Sequence, residues 1–86
     1  PDNKASIEDL IVLSELSLAQ SNPKLAEQLA WQVIDQEQSA SCFASAELAR
    51  ALIVLGEIFE LQEKFDFAEQ FYRAGLNVLK QRAQSC

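Results

Sequence analysis

A set of residues in the first half of this chain returns in the second half at a fixed distance, and this repetition restricts the fold more than any other feature. Leu10, Leu13 and Ser14 recur as Leu52, Leu55 and Gly56, while Ala26, Ala30 and Ile34 recur as Ala68, Tyr72 and Leu76. The offset is 42 positions between Leu10 and Leu52, and 42 again between Ile34 and Leu76. A chain of 86 residues holds two such units. Each is then one supersecondary element, too small to bury its apolar face alone, and stability depends on stacking.

The elements are helical. The chain contains no Thr, no stretch alternates apolar and polar residues, and Ala, Leu, Gln and Glu dominate with apolar residues at three- and four-residue spacing. The first helix is expected from about Ser6 to Gln20, with Ser6 as its cap, Asp9 three residues later, and Leu10, Leu13, Ser14 and Ser17 on one face. Asn22 and Pro23 suit the cap and first position of a second helix reaching about Gln38, because proline's missing N–H is not needed there. The Ser-rich run from Gln38 to Ser45 reads as a loop. A third helix follows to about Gln62 with Leu48, Leu52, Leu55, Gly56 and Phe59 in register, then a short turn. Asp66 with Glu69 reads as the cap of a fourth helix ending near Arg82. The fold class is therefore all-α, two antiparallel helical hairpins in a single domain.

The run Leu52-x-x-Leu55-Gly56-x-x-Phe59, followed by Phe65-x-x-Ala68-x-x-x-Tyr72-x-x-Gly75-Leu76, resembles the tetratricopeptide repeat. Repeat one covers about 5–38, the loop about 39–44 and repeat two about 45–82, with a period similar to the longer variety of that family. The second hairpin carries the pattern well, Gly75 standing where Ala is usual. The first is degenerate, with Ser14, Ser17 and Pro23 at positions where Gly and aromatics are usual. The physical reason for the pattern is independent of the name. Small residues at Gly56 and Ala68 let two helix axes approach, and Phe59, Phe65 and Tyr72 are expected to fill the space around them. The resemblance implies a short right-handed superhelix.

Composition excludes several kinds of chemistry. With no His, only Cys42 and Cys86, and glycines only at Gly56 and Gly75, the sequence offers no metal-ligand run, no imidazole base and no phosphate-cradling loop. No cofactor and no catalysis are expected. Seven Lys and Arg against thirteen Asp and Glu, a net charge of −6, argue against nucleic acid. No apolar run is long enough to span a bilayer, and the N-terminal stretch has no apolar signal core, so a cytoplasmic setting is expected, with a periplasmic one left open. The absence of an initiating Met reads as a processed product or a fragment of a longer protein.

Tetratricopeptide arrays bind partners in a groove lined by the first helix of each hairpin. The resemblance places Glu8, Ile11, Glu15 and Leu18 of helix one there, together with Arg50, Ile53, Glu57, Glu60 and Leu61 of helix three. An apolar stripe flanked by carboxylates fits a basic, amphipathic protein or peptide partner. Helix four carries Phe67, Phe71 and Val78 on a flank that a following repeat would cover, which marks a self-association face and a homodimer, an excised array, or a completed core. Trp31 reads as packing against the next hairpin. The expected function is a non-catalytic protein–protein interaction module, a scaffold or sensory segment of a larger bacterial regulator or assembly. A peptide- or small-ligand-sensing domain, or a small secretion chaperone, is the alternative.

Overall fold

The computed structural model describes residues 6–38 and 46–84. The expected loop, together with Cys42 and Cys86, lies largely outside these residues. Four helices run in order: α1 (Ile7–Ala19), α2 (Pro23–Gln38), α3 (Ala46–Leu61) and α4 (Phe65–Gln84). Ser6 caps α1 by accepting the Asp9 N–H at 3.1 Å. The class is all-α, as the periodicity requires. Within each hairpin the two helices pack on one another, α3 also packs on both α1 and α2, and the molecule is a slab of 35 × 34 × 16 Å.

Both hairpins turn in the same way. Helix α1 ends with Ser21 at a φ of 64° and α3 with Glu63 at 61°, two non-glycine residues in the left-handed region. Around each, the same two bonds close the helix. Asn22 donates to the Ser17 carbonyl at 2.8 Å and Ser21 to that of Leu18 at 3.1 Å; Lys64 donates to Phe59 and Glu63 to Glu60, both at 2.9 Å. This is the Schellman arrangement, which satisfies carbonyls that a helix end leaves orphaned. Ser21 and Glu63 are 42 positions apart, so the repeat extends to the turn geometry. It also corrects one expectation: α4 starts at Phe65 and its cap position is Lys64, whose carbonyl accepts from Ala68. Asp66 instead lies in the first turn, where a carboxylate favours the helix dipole.

The core forms where hairpin one meets α3. Leu10, Ile11, Ala26, Ala30, Val33 and Ile34 meet Leu48, Ala51, Val54, Leu55 and Ile58. The small residue at the hairpin crossing is matched to its neighbour. A Cβ on Gly56 would lie 2.7 Å from Cδ1 and Cε1 of Tyr72, so only glycine leaves room for that ring. In hairpin one the corresponding pair is Ser14 and Ala30, both fully buried. With no ring to accommodate, a serine fits, and its hydroxyl donates to the Ala26 carbonyl at 2.8 Å. A Cβ on Gly75 would come 3.2 Å from the Ala49 carbonyl oxygen and from Cγ1 of Ile53, a second tight approach between α3 and α4.

The aromatic residues are arranged differently from the expectation. Phe59 stacks on Phe71 at 5.3 Å and lies tilted against Phe67 at 5.6 Å, and Phe71 meets the edge of Trp31 at 6.0 Å. This chain of rings ties α2, α3 and α4 together. Phe65 does not join it and is exposed. Leu13 also departs from expectation. Its companions Leu10, Ser14 and Ser17 are buried, but Leu13 is turned to the outer flank of α1 with Val12 and Leu16, all three 46–52% exposed. Their repeat mates Val54, Leu55 and Ile58 are at most 2% exposed, because hairpin one covers that flank of α3.

Candidate functional site

Part of the expected groove comes together at the C-terminal ends of α1 and α3. Leu18, Glu57, Glu60 and Leu61 line an open depression of about 630 Å³, completed by Glu63 and Phe65 from the turn into α4. Leu61 and Phe65 are among the most exposed large apolar side chains of the described residues, at 67% and 61%. The left-handed backbone at Glu63 reverses the chain here and brings Phe65 beside the end of α3. A second depression of about 380 Å³ continues from it along Glu63, Lys64, Phe65, Asp66 and Phe67. The sequence named Leu18, Glu57, Glu60 and Leu61 but missed Glu63 and Phe65. The signal for them was the turn itself, since Phe65 follows directly on the chain reversal at Glu63.

The remaining groove candidates go elsewhere. Glu15 and Arg50 form a bidentate ion pair between α1 and α3, with Arg50 Nε donating to Glu15 at 2.9 Å. Both are about half-exposed, so the pair contributes roughly 0.2–1 kcal/mol and mainly registers the two helices. Ile11 is not in a groove at all: it is fully buried in the core. Ile53 is half-buried against Gly75 of α4. Glu8 is exposed near the start of α1. Of the expected self-association face, Phe71 and Val78 are partly buried against the core and only Phe67 is exposed. Phe67 and Phe71 both belong to the chain of rings that runs from α2 to α4. Beyond Phe65 and Phe67 in its first turn, the large apolar side chains that α4 leaves exposed among the described residues are Leu76 and Leu79.

The electrostatics of the depression are one-sided. Burial raises the Glu57 carboxyl pKa, and the neighbouring Glu15 and Glu60 raise it further. Tyr72 donates to Glu60 Oε1 at 2.7 Å, and its phenol is pushed up, first by burial and then by that bond and the surrounding carboxylates. Arg50 is held more firmly protonated by its bond to Glu15. An incoming cation would therefore relieve repulsion that Glu57 already carries, while Leu18, Leu61 and Phe65 offer apolar area beneath it.

Among the described residues, no helix is long and apolar enough to cross a membrane, and no group of three or more Cys, Asp or Glu is arranged to hold a metal ion. No family model matches the chain, and neither a curated protein nor a solved structure matches it.

Proposed function

We propose that this chain is a non-catalytic protein-interaction module of the tetratricopeptide-like kind, which takes a basic, amphipathic helix or peptide into the depression at the α3–α4 turn. Such a module serves as a scaffold or sensory segment of a larger cytoplasmic regulator or assembly. The observation that carries this reading is the joint exposure of Leu61 and Phe65 on an apolar floor with Leu18, rimmed by Glu57, Glu60 and Glu63. Apolar area supplies the affinity, and the carboxylates select sign and orientation.

A fluorescein-labelled Lys/Leu peptide of amphipathic helical pattern provides the test, read by anisotropy. The expected result is saturable binding that weakens as salt rises, with at least about a tenfold loss in Leu61→Asp and a smaller loss in Glu63→Lys. Equal binding of a scrambled peptide of the same charge, or no effect of Leu61→Asp, would overturn the proposal.

A further inference from the structure

The 42-residue repeat lets the interior of the stack serve as a template for its ends. At the internal junction hairpin one receives α3 through five residues on one flank. Arg50 pairs with Glu15, while Ala51, Val54, Leu55 and Ile58 are buried in the shared core. On the receiving side, Ala30 and Ile34 are buried in that core and Glu37 is buried beside them on the same helix. Counting 42 positions on from these three gives Tyr72, Leu76 and Leu79 of α4, and counting on from Glu15 gives Glu57. Leu76 is 53% exposed where Ile34 is 7%, and Leu79 is likewise open to solvent. The α4 end thus repeats the receiving surface without a helix seated on it among the described residues.

We propose that this end of the stack, formed by Tyr72, Leu76 and Leu79 with Glu57 at its rim, docks a helix of the pattern that α3 presents to hairpin one. That pattern is an arginine, a small residue next to it, an aliphatic pair four and five residues on, and a third aliphatic eight residues on. The arginine pairs with Glu57 as Arg50 pairs with Glu15, and the aliphatics cover Leu76 and Leu79. This rests on the internal junction and stands apart from the depression at the α3–α4 turn, with which it shares only Glu57.

Charge decides the occupant. A second copy of the chain offers the right aliphatics on α1, since Val12, Leu13 and Leu16 are exposed at the positions of Val54, Leu55 and Ile58. It offers the wrong lead residues. Glu8 stands at the position of Arg50 and Asp9 at that of the fully buried Ala51. Stacking copies end to end would set Glu8 against Glu57 and strip water from the Asp9 carboxylate, and neither has a compensating partner in that junction. The shape invites self-stacking while the charges oppose it, so the occupant is an arginine-led helix other than α1 of a second copy.

The full chain can be converted into its own ligand. In a Glu8→Arg/Asp9→Ala variant, α1 carries the α3 pattern at two exposed positions. Sedimentation velocity is expected to find wild type monomeric and the double variant forming oligomers that lengthen with concentration, as a heterologous contact does. Adding Leu79→Glu should return the variant to monomers with unchanged far-ultraviolet circular dichroism. A peptide of sequence 46–61 is expected to bind wild type, with at least about a tenfold loss when its arginine is glutamate. A monomeric double variant with native helicity overturns the proposal, as does association that survives Leu79→Glu, or wild type that associates as tightly as the double variant.

Discussion

Replacing Gly56 by Ala should destabilise the protein, and the same replacement should stabilise it once Tyr72 is gone. A Cβ at position 56 would lie 2.7 Å from two carbons of the Tyr72 ring, so the ring must retreat by about 0.7 Å to reach ordinary contact. It is not free to do so, because its hydroxyl is bonded at 2.7 Å to Glu60, one turn along the same α3 helix. Overpacking of this kind costs about 1–3 kcal/mol. Alanine regains roughly 1 kcal/mol of helix propensity over glycine, leaving a net loss near 1 kcal/mol. In a Tyr72→Ala background the clash is absent and only the propensity gain remains, so Gly56→Ala should then add about 1 kcal/mol. The coupling is therefore about 2 kcal/mol, within the range for residues in contact. Urea unfolding of the four proteins measures it against a total stability of about 4–13 kcal/mol for a chain of this size. Effects that add to within about 0.5 kcal/mol, or a Gly56→Ala that stabilises both backgrounds alike, would refute the steric account.

Ser21→Gly and Glu63→Gly should each stabilise by about 0.5 kcal/mol, since glycine removes the left-handed penalty of about 1–2 kcal/mol but enlarges the entropy of the unfolded chain; a shift of the urea midpoint upward in both variants checks it. Glu57→Gln should stabilise at neutral pH by a few tenths of a kcal/mol after solvent screening. The sign follows from the raised carboxyl: the native state holds the proton more tightly than the unfolded chain, so ionised Glu57 costs stability above its folded pKa and costs nothing below its unfolded one. The gain from Gln should accordingly vanish as pH falls below about 4, which unfolding curves across pH will reveal.

Much of the candidate site was legible before any coordinates. Leu18, Glu57, Glu60 and Leu61 were assigned to one groove by the resemblance, and they line one depression because α1 packs on α3. Phe65 was legible as an aromatic but not as an exposed one, because nothing local records that the described residues leave it uncovered at the start of α4. Ile11 and Ile53 were placed in the groove by resemblance. The structure turns Ile11 into the core and Ile53 against α4, since α1 is apolar nearly all round and its pattern does not choose a face.

The sequence by itself determined the helices and the duplicated hairpin. Both depend on residues within one hairpin, close enough in the chain for periodicity to settle them. The tertiary structure alone decided which flanks are covered. Leu13 and Leu55 are the same residue at the same place in the repeat, yet one is 46% exposed and the other fully buried. The difference lies in the neighbour, because α3 has a hairpin packed on its outer flank and the described residues pack none on that of α1. Burial is a property of two surfaces, and a repeated sequence specifies only one of them.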